Sequence, residues 1–214
     1  MLLRNIYKII VCFVSIFIFY LEVNCQNCDP NDKILEKKAE KLMTFYNKSF
    51  LNNVDSANCY KKKFFSEFPS SFSMLVSLYG FCESSDTFKL NLLYDVSRDH
   101  IDLFGSLDTT ILIKKTVYLS KLFSISINGF WQSDGINYFQ NLLHSKVEHN
   151  IKLSIKIIES FTLNDQKEFW HFFFDGPILP GSKKQILEDI KEISEETYKI
   201  AHIEVMNLQK QWKH

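Results

Sequence analysis

Glu168 and His171 stand three residues apart, a spacing that puts both side chains on one face of a helix. Carboxylate-bridged di-iron bundles place ligands this way, but they need a second Glu-x-x-His and two more glutamates on facing helices. This chain has no second copy. The pair also sits within Phe169-Trp170-His171-Phe172-Phe173-Phe174, an aromatic run that reads as core, with Asp175 just after it. Asp99, His100 and Asp102 form a second group, and Glu148 with His149 a third. Carboxylates beside imidazoles are the residue types of acid–base and metal chemistry. The same residues equally describe solvated helix faces. His144 and His149 are five apart, which does not align them on one face. His-Glu-x-x-His, Gly-x-Ser-x-Gly and a Gly-rich phosphate loop are all absent from the sequence. If the chain is an enzyme, its candidates are Asp99, His100, Glu168, His171 and Asp175, drawn from separate helices; no cofactor is implied.

Those residues must be positioned by helices. Only 6 Gly and 4 Pro occur in 214 residues, too few for the turns of an all-β chain. From Asp32, a plausible cap, Ile34, Leu35, Leu42, Met43, Phe45, Tyr46 and Phe50 form an apolar stripe broken at Asn52-Asn53. Asp55 or Ser56 opens a second helix. After Pro69, Ser70 or Ser71 caps a third that ends at Gly80. Phe88, Leu90 and Leu92 alternate like a strand, yet the stretch 88–107 fits helix better, as does Ile111 to Ile127, capped from Asp108. Further helices follow from Ser133-Asp134-Gly135, from Ile151 and from Asn164 or Asp165. The last, capped by Ser182, carries Ile186, Ile190, Ile193, Thr197, Ile200 and Leu208. It spans about 30 residues, or about 45 Å. It either lies across the domain or pairs as a homodimeric coiled coil. The expected fold is all-α: one bundle-like multi-helix domain, residues 26–214, with a long C-terminal helix. No repeat or linker divides it.

Residues 1–25 read as a signal peptide. Arg4 and Lys8 precede the uncharged run Ile9 to Leu21, and Val23 and Cys25 offer small side chains before Gln26. The run is shorter than the roughly 20 residues of a spanning helix. An uncleaved anchor is the alternative. Lipidation at Cys25 fits less well, because Glu22-Val23-Asn24 precede it. Cleavage after Cys25 leaves Cys28, Cys59 and Cys82, an odd number that allows one internal bridge. Cys59–Cys82 would tie neighbouring helices; Cys28–Cys59 would hold the N-terminal tail; reduced cysteines are the third option. The chain carries 25 basic and 25 acidic side chains, so nothing in its charge calls for nucleic acid. No strong basic stripe favours an anionic membrane, and Lys61-Lys62-Lys63 reads as a solvated face. Asn47-Lys48-Ser49 matches the glycosylation triplet, which matters only in a eukaryotic source.

Three segments carry a resemblance: Phe64-Phe65-Ser66-Glu67-Phe68-Pro69-Ser70-Ser71-Phe72 with Leu78-Tyr79-Gly80-Phe81, Trp131-Gln132-Ser133-Asp134-Gly135-Ile136-Asn137-Tyr138-Phe139-Gln140, and Phe169 to Pro177. Together they resemble a family of small exported bacterial proteins without an established function. Members carry His-Pro after the Asp-Gly-Pro, where this chain has Ile178-Leu179-Pro180. The resemblance implies export, a helical domain and a periplasmic or extracellular location, and no activity. A non-enzymatic role with another protein as partner is the leading expectation. A hydrolase or metal-dependent enzyme is the alternative.

Overall fold

The computed structural model describes residues 33–83, 88–109, 112–176 and 181–211. The chain divides into two units, Met1–Asn31 and Asp32–His214, and every described residue lies in the second. The expected signal segment, Cys28, the Asp32 cap, the Cys82 side chain and the turn at 177–180 lie outside what is described; Ser182, expected as a cap, falls inside the helix that starts at Gly181.

Amphipathic spacing produces the first two helices. Lys33–Lys48 (α1) turns Ala39 and Leu42 inward, and Val54–Glu67 (α2) turns Ala57 and Phe64 inward. Asn53 caps α2: its side-chain oxygen accepts from the Ser56 backbone N–H at 2.9 Å. The two helices form an antiparallel hairpin, with Lys38 and Lys41 at 3.4 and 3.7 Å from Glu67. Phe72–Tyr79 (α3) starts at Ser71, whose hydroxyl accepts from the Met74 N–H at 3.3 Å. Gly80 terminates it.

The next stretch departs from expectation. Phe88–Leu90 is not helical; it is a strand (β2) paired antiparallel with Phe81–Glu83 (β1), Phe81 opposite Leu90. The alternation of Phe88 and Leu90 was a strand signal after all. A 3-10 turn at Tyr94–Val96 then leads into Ser97–Ser106 (α4). A second, Leu107–Thr109, follows it. The helix expected from Ile111 begins later, as Lys115–Ser126 (α5). Asp108 does not cap it; its carboxylate meets the Lys146 ammonium at 2.8 Å, with both side chains largely buried.

Gly135–His149 (α6), Ile151–Ile158 (α7) and Leu163–Phe174 (α8) lie where the apolar periodicity puts them. The cap of α8 is Thr162, whose hydroxyl oxygen accepts from the Asp165 N–H at 3.2 Å. The C-terminal run is two helices rather than one, Gly181–Ile193 (α9) and Glu195–Gln211 (α10). Ser194 separates them. Its hydroxyl donates to Glu159 at 2.7 Å and accepts from the Thr197 N–H at 3.2 Å, so it caps α10 while tying it to the end of α7.

The fold is all-α apart from this small hairpin, with α10 as the long C-terminal helix. Ile200, Ala201, Val205 and Leu208 bury one face of α10, and α8 packs along it. The apolar stripe that suggested a coiled coil is thus used largely within the chain. Aromatic rings fill much of the core: Phe68 stacks on Phe104 at 4.1 Å, and Trp170 lies 5.4 Å from Phe173. Among the described residues no helix is long and apolar enough to cross a membrane.

Candidate functional site

His100 leaves solvent altogether. It is fully buried on the inner face of α4, while Asp99 and Asp102 on either side stay exposed. Three rings enclose it, one from each preceding helix: Tyr46 at 4.7 Å, Phe64 at 5.3 Å and Tyr79 at 5.8 Å. The Tyr79 hydroxyl lies 3.0 Å from Nδ1. Burial raises the Tyr79 pKa, so the phenol keeps its proton beside Nδ1. Nε2 has no hydrogen-bond partner. Burial lowers the His100 pKa to about 4, against a weaker opposing pull from Asp99. A neutral imidazole sealed among rings cannot exchange protons with a substrate.

Asp175 has a different environment. It follows α8, and its Oδ2 accepts from the Trp131 backbone N–H at 2.5 Å. Its Oδ1 accepts from the Gly176 N–H at 2.7 Å. Gln140 on α6 donates to the carbonyls of Phe172 and Asp175 at 2.6 and 3.1 Å, and the His144 Nε2–H donates to the Phe173 carbonyl at 2.8 Å. The end of α8 is therefore clasped by α6 and by the segment before it. Gly176 has φ +127°, and a Cβ there would lie 3.4 Å from the Trp131 ring. Only glycine takes this conformation readily. The same segment reaches the start of β1, where the Gln132 amide donates to the Phe81 carbonyl at 3.2 Å, and the end of α3, where Gly135 packs against the Tyr79 carbonyl. The three segments quoted for the resemblance thus meet in one junction.

The remaining candidates separate. His171 pairs with Glu204 on α10, Nδ1 to Oε2 at 3.4 Å, and Glu168 is half-exposed. Glu148 is exposed, and the His149 Nδ1–H donates to the Ser145 carbonyl at 2.6 Å within its own helix. Among the described residues, no three His, Cys, Asp or Glu side chains are grouped to hold a metal ion. Cys59 is an exposed free thiol; its expected pairing with Cys82 involves a side chain outside the description. Asn47 is exposed, but Ser49 is buried and its hydroxyl donates to the Phe45 carbonyl at 2.7 Å.

One polar cleft does form, of about 360 Å³, between the start of α4 and the start of α6. Tyr94, Asp95, Ser97, Arg98, Asp99, Asp134 and Tyr138 line it. The Tyr94 hydroxyl donates to Asp134. That bond raises the Tyr94 pKa to about 12, with lesser contributions from burial and nearby charge. The Arg98 guanidinium sits 5.9 Å over the Tyr138 ring. Of the sequence candidates only Asp99 is present. The others were missed because they come from segments some 35 residues apart, joined only by helix packing. The cleft offers carboxylates and a held phenol, with no nucleophile–base pair. Compared with models of protein families, with curated proteins and with solved structures, the chain matches none.

Proposed function

We propose that this is an exported protein that works by binding another protein in the cell envelope or outside it, without catalysing a reaction. The supporting observation is how the reactive side chains are engaged. His100 is sealed in the core, Asp175 holds backbone amides, and His171 faces Glu204. Apolar side chains, by contrast, stay outside. Ile203 and Met206 sit three residues apart on the outer face of α10, 53% and 44% exposed. Two such residues one turn apart are the kind of anchor a partner helix or groove covers. Export is supported by the sequence: basic residues, then an uncharged run, then small side chains.

The test is affinity capture from envelope fractions, with chemical crosslinking and mass spectrometry. One specific protein should be recovered, and Ile203→Glu with Met206→Glu should release it. A lone monomer that captures no protein contradicts the reading. Sequencing the mature N-terminus tests export separately, with Gln26 as the expected first residue.

A further inference from the structure

The turn joining α1 to α2 leaves three apolar side chains outside within five consecutive residues. Phe50 is 62% exposed, Leu51 47% and Val54 69%. Phe50 meets the Tyr46 ring edge-on at 5.2 Å, but the backbone of the turn does not require apolar side chains. Asn53 caps α2 through its side chain, and the Leu51 N–H closes the turn on the Lys48 carbonyl at 3.4 Å, so polar residues would satisfy the same backbone. The acids around them are concentrated away from the tip. From Thr44 to Ser66 the hairpin carries Lys48, Lys61, Lys62 and Lys63 against a single acid, Asp55. Glu36, Glu40 and Glu67 all lie toward the other end, among Lys33, Lys37, Lys38 and Lys41, and Glu67 there meets Lys38 and Lys41. Lys48 and Lys63 converge from the two helices onto one ring, 5.1 and 5.0 Å from the centre of Tyr60. Lys62 is exposed beside them. An apolar tip with a basic collar is complementary to a surface that is apolar inside and anionic at its rim.

We propose that the α1–α2 tip docks on an anionic lipid bilayer, with Phe50, Leu51 and Val54 in the headgroup–acyl boundary and the lysines at the lipid phosphates. Small apolar insertions and basic side chains reinforce one another at such interfaces, and long lysine stems let the charge reach headgroups while the tip goes deeper. This surface is separate from the protein-binding face of α10, so either can fail without the other.

The experiment uses the full chain with a single tryptophan added at the tip, Phe50→Trp, and a control at another exposed position, Val117→Trp. Each is mixed with brominated vesicles of phosphatidylcholine alone or with phosphatidylglycerol. The tip variant should be quenched well beyond the control, only with phosphatidylglycerol present, and less as salt is raised. Adding Lys62→Ala should weaken binding about fivefold. Equal quenching of both positions would place adsorption elsewhere, the apolar run Ile9 to Leu21 included, and overturns the proposal. Equal quenching on uncharged vesicles overturns the role of the lysines. No vesicle binding overturns it too; self-association or a captured protein lost on Phe50→Ser would then assign the tip to a second copy or a protein partner.

Discussion

His100 and Asp175 are both buried polar residues that the sequence marks as reactive, and their surroundings treat them in opposite ways. Asp175 is met by donors: two backbone N–H groups reach its oxygens, and the Gln140 amide reaches its carbonyl. His100 is met by rings. One hydroxyl touches it, Nε2 stays unpartnered, and burial keeps it neutral. A carboxylate can be buried as an ion because the chain supplies donors to it. An imidazole can be buried without them because it can shed its charge. Asp175 therefore joins segments, whereas His100 fills volume. Neither arrangement leaves a group free for catalysis.

The largest effect should come from removing the joint. Asp175→Ala strands two amides and loosens α8 from the segment at Trp131; it should cost about 4 kcal/mol in urea unfolding. Asp175→Asn, which keeps one acceptor oxygen, should cost about half as much.

His100 should matter through pH. Its folded pKa, about 4, lies below the unfolded value of roughly 6.5. The stability it contributes is thus complete above about pH 6.5 and is lost as pH falls through about 4. Between those limits the parent should lose roughly 3 kcal/mol more than His100→Leu, measured by urea midpoints across the pH range. Parallel curves would mean the imidazole is charged or solvated in the native state. Tyr79→Phe should cost less, about 1 kcal/mol, since it removes one hydrogen bond and leaves the packing. Asp99→Asn should change stability by less than about 0.5 kcal/mol, because its carboxylate faces water.

What could be read from the sequence follows a physical line. α1, α2 and α3 were legible from their amphipathic stripes, and Ser71 was among the caps expected for α3; α2 is capped by Asn53 rather than by Asp55 or Ser56, because the Asn53 side chain reaches the Ser56 N–H. The strand at Phe88–Leu90 shows a local alternation, but its pairing with Phe81–Glu83 crosses a loop that periodicity does not see. The break at Ser194 has no Gly or Pro to announce it. Glu159, 35 residues away, accepts from that hydroxyl. The fates of the candidates are more distant still. His100 is defined by rings from α1, α2 and α3, and the polar cleft by residues on α4, on α6 and just before each. Residue type marked these positions as candidates, and only tertiary packing decides what surrounds each of them.

The most direct measurement is an NMR titration of the His100 ring in the folded chain. With the Tyr79 hydroxyl and the aromatic enclosure in place, the ring should stay neutral through pH 5 and protonate only near about pH 4, or as the chain unfolds. A reversible titration near the ordinary value of about 6.5, with the fold intact, would show a solvent-accessible imidazole and contradict the structural role assigned to it.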